Sequence, residues 1–220
     1  MKETTRFMML LAWLSISAFT LTSCLNSDDD EDEIVPALMT EAEISNYLST
    51  FSGFHMGNLK VFFQNEQGKQ DSATVCTPCT VSLDKKVTFS EFPVSILKNY
   101  IKGEGSQELR EALEAKEDMP MVVNMKDFWN ITNNTTGASN KFFYIIPNNR
   151  KLEFTLNYGG KEHQAVINFT ESVDIGGYSF ASQGMVDEKT KKLQMMFIIS
   201  SFTVDNYIEV SYASVSYSDI

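Results

Sequence analysis

Several residue groups have the types and spacing that chemistry needs. Cys76-Thr77-Pro78-Cys79 sets two thiols three positions apart around a proline. That is the spacing of dithiol redox centres, where a helix start lowers the pKa of the first thiol. Here the flanks, Ala73-Thr74-Val75 and Thr80-Val81-Ser82-Leu83, read as strand, and no helix pattern follows. In an exported chain the pair is instead a disulfide candidate. On one straight strand, though, Cys76 and Cys79 face opposite sides with Cα atoms about 10 Å apart, so a bridge requires a tight turn at Thr77-Pro78. Ser95-Ile96-Leu97-Lys98 fits S-x-x-K, a lysine-activated serine, but Lys189-Thr190-Lys191 lacks the last residue of a K-T-G partner. It reads as a helix turning its polar side to water. His55 and His163 have neither cysteine nor acid at metal-ligand spacing, so both read as surface or strand-edge residues. No catalytic residue, metal site or cofactor is expected.

Two further positions concern ligands and modification. Asp71-Ser72-Ala73 resembles the three-residue O-glycosylation acceptor of exported Bacteroidota proteins, with Ser72 beside a turn where an enzyme reaches it. Trp129 borders a polar loop, and a tryptophan there can stack on a sugar ring, so it is a ligand-binding candidate.

Cys24 carries a different chemistry. Lys2 and Arg6 give a positive start, and Phe7 to Leu21 is an apolar run too short for a comfortable membrane span. Leu21-Thr22-Ser23-Cys24 then resembles a bacterial lipobox, in which the cysteine sulfur takes a lipid as a thioether and becomes the first residue after cleavage. Acyl chains contribute about 0.8 kcal/mol per buried CH₂, enough for two or three to hold a domain on a bilayer. Asp28, Asp29, Asp30, Glu31, Asp32 and Glu33 follow without a break. Such a run repels itself into an extended tether. Its position just behind Cys24 also resembles the export signal of surface lipoproteins.

The expected organisation is therefore a signal peptide over 1–23, a lipidated cysteine and acidic tether over 24–36, and one domain over 37–220. Removing the signal takes away Lys2, Arg6 and Glu3, so the net charge moves from −11 to −12. Six of those negatives sit in the tether. The rest is mildly acidic with no basic stripe, which excludes nucleic acid as a partner.

The elements must be assembled around these positions. Ala37 to Gly53 reads as a helix, with Thr40 and Glu43 at capping-box spacing and Ile44, Tyr47, Leu48 and Phe51 on one face. Two strands follow around the turn Asn65-Glu66-Gln67-Gly68-Lys69, then a short strand at Val87 to Phe89. Pro93 opens a second helix and Ser106 a third. From Met119 the pattern is strand after strand, separated by turn residues, with Asn130 to Asn140 as a polar loop. Met195-Met196-Phe197-Ile198-Ile199 is apolar on both faces and belongs to a covered central strand. The expectation is α+β: a large antiparallel sheet curled towards a barrel or sandwich, with an N-terminal helix and two short helices in the middle.

A strand carrying Phe51-Ser52-Gly53-Phe54-His55-Met56-Gly57 and a Phe92-Pro93-Val94 helix start, behind a lipobox, is similar to small uncharacterised lipoproteins of gut Bacteroidota. These are domains of unknown function, and the resemblance implies location only. The function expected is a membrane-anchored, surface-exposed lipoprotein of the outer membrane with a non-enzymatic binding or scaffolding role. Its ligand would be a glycan or a protein. The alternative is an exported thiol-redox protein or other enzyme centred on Cys76 and Cys79.

Overall fold

The computed structural model describes residues 34–65, 67–133, 139–175, 177–187 and 189–220. Cys24 and the run Asp28 to Glu33 lie outside them. Among the described residues no helix is long and apolar enough to cross a membrane.

Strand β1 (Ile34–Leu38) comes first, so the helix is not the first element. Residues 34–36, expected in the tether, pair with a later strand instead. Helix α1 is shorter than its apolar pattern, Glu41–Ser49, and starts at a complete capping box. The Thr40 backbone N–H donates to Glu43 Oε2 at 2.7 Å, and the Glu43 N–H donates to Thr40 Oγ1 at 3.4 Å. Strands β2 (Gly53–Gln64), β3 (Gln70–Ser82) and β4 (Lys86–Phe92) form a meander. The second helix is a 3-10 turn, Val94–Tyr100, and the third is α2, Gln107–Glu114. Then come β5 (Met119–Asn133), β6 (Ser139–Pro147), β7 (Lys151–Tyr158), β8 (Lys161–Thr170), β9 (Ser172–Ile175), β10 (Tyr178–Ala181), β11 (Gln183–Val186), β12 (Leu193–Val204) and β13 (Tyr207–Asp219). The expected polar loop over 130–140 is in large part strand, because Asn130 to Thr132 pair with β1 on one side and β6 on the other.

The large sheet has eleven strands and is antiparallel in every pairing. Eight of them make a circuit, β6-β5-β4-β3-β2-β13-β12-β11, with β11 bonded again to β6. Strand β8 joins β12 beside β11 and carries β7. Side chains at alternate positions fill the inside. Phe89, fully buried, meets Phe92, Phe197 and Tyr217 edge-on at ring-centroid distances of 5.9, 6.0 and 5.6 Å. Edge-to-face contacts suit the ring quadrupoles, so the interior is packed solid with aromatics. The small sheet of β9 and β10 lies against β12, whose outward Ile198 is 2% exposed.

One serine joins the seam. Strand β12 pairs with β11 up to Met196 and with β8 from Ile198. Ser182, 1% exposed, sits where it changes partner. Its hydroxyl accepts from the Ile198 N–H at 2.9 Å and donates to the Thr170 carbonyl at 2.7 Å. Its own carbonyl accepts from Ile145 N–H at 3.0 Å. Ser182→Ala strands two backbone groups in a dry site, at about 1–3 kcal/mol each. Urea denaturation is expected to show a loss of about 2–4 kcal/mol. A loss no larger than an exposed serine gives would mean that the hydroxyl does not join the seam.

Candidate functional site

Strand β3 runs straight through Pro78, pairing with β2 from Gly53–Val81 to Gln64–Gln70 without a break. No turn forms at Thr77-Pro78. Cys76 and Cys79 therefore point to opposite faces, Cys76 exposed and Cys79 buried, and both are free. This corrects the disulfide expectation for the pair. It also separates the two thiols that a redox centre needs within bonding reach.

Cys79 lies in a polar cluster at the inner end of β2 and β13. Burial pushes its thiol up to about 12, opposed by a hydrogen bond with Tyr217 and reinforced by the charge of Asp219. Tyr217 is likewise pushed up, chiefly by burial. The Tyr217 hydroxyl donates to Asp219 Oδ1 at 3.0 Å, and the Leu193 N–H donates to Asp219 Oδ2 at 2.8 Å. His55 Nδ1 is 2.8 Å from the same Oδ2, and its Nε2 is 2.6 Å from the Phe51 carbonyl. Asp219 thus ties the ends of β13, β12 and β2 together. Gly57 makes room for it, since a Cβ there would lie 2.4 Å from Tyr217 Cζ. His163 repeats the motif, with Asp205 Oδ2 at 2.8 Å and the Tyr158 carbonyl at 3.3 Å. Both histidines are thus partly buried and paired with carboxylates, not the free surface residues expected. Sequence spacing missed the pairs because His55 and Asp219 stand 164 positions apart.

The thiols give a direct test. A Cys24→Ser chain is expected to show one thiol that a disulfide reagent titrates at once, Cys76, and a second that reacts only on unfolding. Two fast thiols, or none, would contradict this placement. Cys76 donates to Met56 Sδ at 3.4 Å, and the Ile220 N–H donates to the Met56 carbonyl at 3.1 Å. Phe54, 69% exposed, and Ile220, 64% exposed, complete an apolar patch on the outside of β2. Ser72 is exposed near the start of β3, where it pairs with Phe62.

Trp129 reaches the outside by a bulge. Met121, Val123 and Met125 of β5 point inward and are buried. Simple alternation would send Trp129 inward too. The register shifts between Lys126 and Trp129, and Asp127 takes the left-handed conformation with φ 47. Phe128 then fills the inside at 2% exposed, and Trp129 turns out. It joins a row across four strands: Leu38 of β1, Trp129 of β5, Phe142 of β6 and Met185 of β11. The Trp129 and Phe142 rings are 10° from parallel with centroids 6.4 Å apart, and Tyr144 meets Phe142 edge-on at 5.8 Å. Trp129 Nε1 has no hydrogen-bond acceptor among the described residues. Beside the row, Lys126 and Arg150 bind one carboxylate, Glu171, at 2.8 and 2.5 Å. The Lys126 hydrogen bond, ahead of the charges of Lys126 and Arg150, holds that carboxyl below its usual range. No group of three or more His, Cys, Asp or Glu able to hold a metal occurs among the described residues.

The molecule is thus a predominantly antiparallel β protein with a filled interior and two apolar areas on its outside. Residues 50–204 match the model of a domain of unknown function, DUF4840, and the chain belongs to that family. No curated protein matches it. Among solved structures, the ywiB protein from Bacillus subtilis is similar at 8% identity over 80% of this chain and 96% of that one, with a TM-score of 0.30. That is too slight a likeness to define a shared fold.

Proposed function

We propose that this chain is a lipoprotein held to the outer membrane through Cys24, facing the cell exterior, and that it binds or scaffolds a partner rather than catalysing a reaction. The lipobox, the short apolar run before it and the acidic run behind it support the anchor. The observation that carries the binding role is the patch of Phe54, Met56 and Ile220 on the outside of β2. Monomeric proteins keep such patches small unless something covers them. With the interior filled by aromatics, the outer surface is what this domain offers a partner. Aliphatic and phenylalanine side chains with a thiol among them suit a protein partner better than a sugar. Cys79, raised in pKa and turned inward, weighs against the thiol-redox alternative.

Cys76 supplies the test. A membrane-impermeant maleimide applied to intact cells is expected to label the protein, and Cys76→Ser to abolish the label. Labelling that appears only after the cells are broken would place the domain inside and overturn the outward orientation.

A further inference from the structure

We infer that the outward row Leu38–Trp129–Phe142–Met185 is a membrane-docking face, which lies on the headgroup layer of the bilayer that anchors the chain. The inference rests on the anchoring proposed above. Three features of the molecule point to it.

The first is composition and aim. Each residue of the row is the cross-strand partner of the next, so all four share one face. The β5 bulge turns Trp129 onto that face. A tryptophan with an unpartnered N–H, flanked by leucine, phenylalanine and methionine, matches a boundary that is apolar on one side and wet on the other. Tyr144 and Lys126, partners in the next row, add a phenol and an ammonium at its margin.

The second is charge. The chain as a whole is strongly acidic. Beside this row, however, Lys126 and Arg150 share the single carboxylate of Glu171, which leaves one positive charge over. An anionic or zwitterionic phosphate layer therefore meets an attractive margin here and a repulsive one elsewhere.

The third is the point where the tether joins. Strand β1 starts at Ile34, ten positions past Cys24. Even fully extended, ten residues reach at most about 36 Å. Leu38, in the same short strand, is therefore among the side chains held nearest the membrane. The opposite side fits as well. In the eight-strand circuit β2 stands four strands from β6 in either direction, so the Phe54 patch faces away from the bilayer when the Trp129 row rests on it.

The chain has two tryptophans, Trp13 and Trp129. With Trp13→Phe, Trp129 is the one emitter. The lipidated chain is reconstituted into vesicles of phosphatidylcholine with phosphatidylglycerol, with or without bromines on the acyl chains near the headgroup. The docking predicts that the protein floats with the vesicles and that bromolipid quenches Trp129 in proportion to its fraction. Leu38→Glu, at an exposed position, is expected to keep flotation and native circular dichroism but lose the quenching. Flotation with Trp129 unquenched would overturn the docking and leave the anchor standing. Quenching unchanged by Leu38→Glu would also overturn it, because the contact would then lie elsewhere. Failure to float would remove the anchor and the docking together. A Trp129 emission change caused by soluble oligosaccharides and not by bromolipid would make the row a sugar site and overturn the membrane reading.

Discussion

Phe89→Ala is expected to remove a large share of the stability of this domain. Phe89 has no exposed surface and stands at the meeting point of Phe92, Phe197 and Tyr217. Truncating a buried phenylalanine costs about 3–5 kcal/mol, through lost transfer energy and the cavity left behind. Here collapse into the cavity is hindered, because the three neighbours come from different strands of a closed circuit. Small proteins have about 5–15 kcal/mol in all. For a domain of this size the melting temperature should fall by about 6–20 °C. Tyr207→Ala, at 76% exposed, is the matched control and should change stability by less than about 0.5 kcal/mol. Equal losses from the two substitutions would mean that the aromatic interior is not the core.

Gly184→Ala should be nearly as damaging, for the opposite reason. Strand β11 has four residues and closes the circuit between β6 and β12. A Cβ on Gly184 would lie 2.4 Å from Phe143 Cε2, 2.6 Å from its Cζ and 3.1 Å from Met195 Cγ. Overpacking of this kind costs about 1–3 kcal/mol or more. Such a short strand has few other bonds with which to hold its place. The seam should open first, so amide exchange should speed up at Gln183 to Val186 before the rest of the sheet is affected. The clash is with a side chain, and so it has a specific remedy. Phe143→Leu costs stability alone, but combined with Gly184→Ala it should lose less than the two single losses added, by about 0.5–3 kcal/mol. Strict additivity would show that the glycine is needed for some other reason than room beside Phe143.

The strand pattern and the capping box were legible because they depend on residues within a few positions of each other. Thr40 and Glu43 form the cap that their spacing predicts. Asp205 and Asn206 take left-handed φ values of 48 and 69 at the turn between β12 and β13, as a two-residue separator should. Pairing across the sheet was not legible. Register decides that Leu38 stands beside Trp129, and register here depends on a bulge that no local signal announces. The same holds for Asp219 with His55 and for Ser182 at the seam. The cysteines lay between these cases. The sequence posed the right alternative, turn or straight strand, and the pairing of Met56 with Pro78 decided for the strand.

Edge protection was also hidden until the register was known. The Met39 N–H donates to the Phe128 carbonyl at 2.8 Å, so Met39 turns its backbone groups towards β5. Alternation then turns those of Pro36 towards the open edge of β1, where its missing N–H costs nothing and hinders another strand from adding. An apolar strand at the mouth of a tether thereby resists pairing with its copies while keeping Leu38 on the outside.

The central claim is attachment at Cys24, and the mass of the protein's own N-terminal peptide tests it most directly. Protein taken from membranes of the producing cell should begin at Cys24 and carry a diacylglyceryl group on its sulfur. A peptide that begins at Met1, or a Cys24 that bears no lipid, would contradict the account.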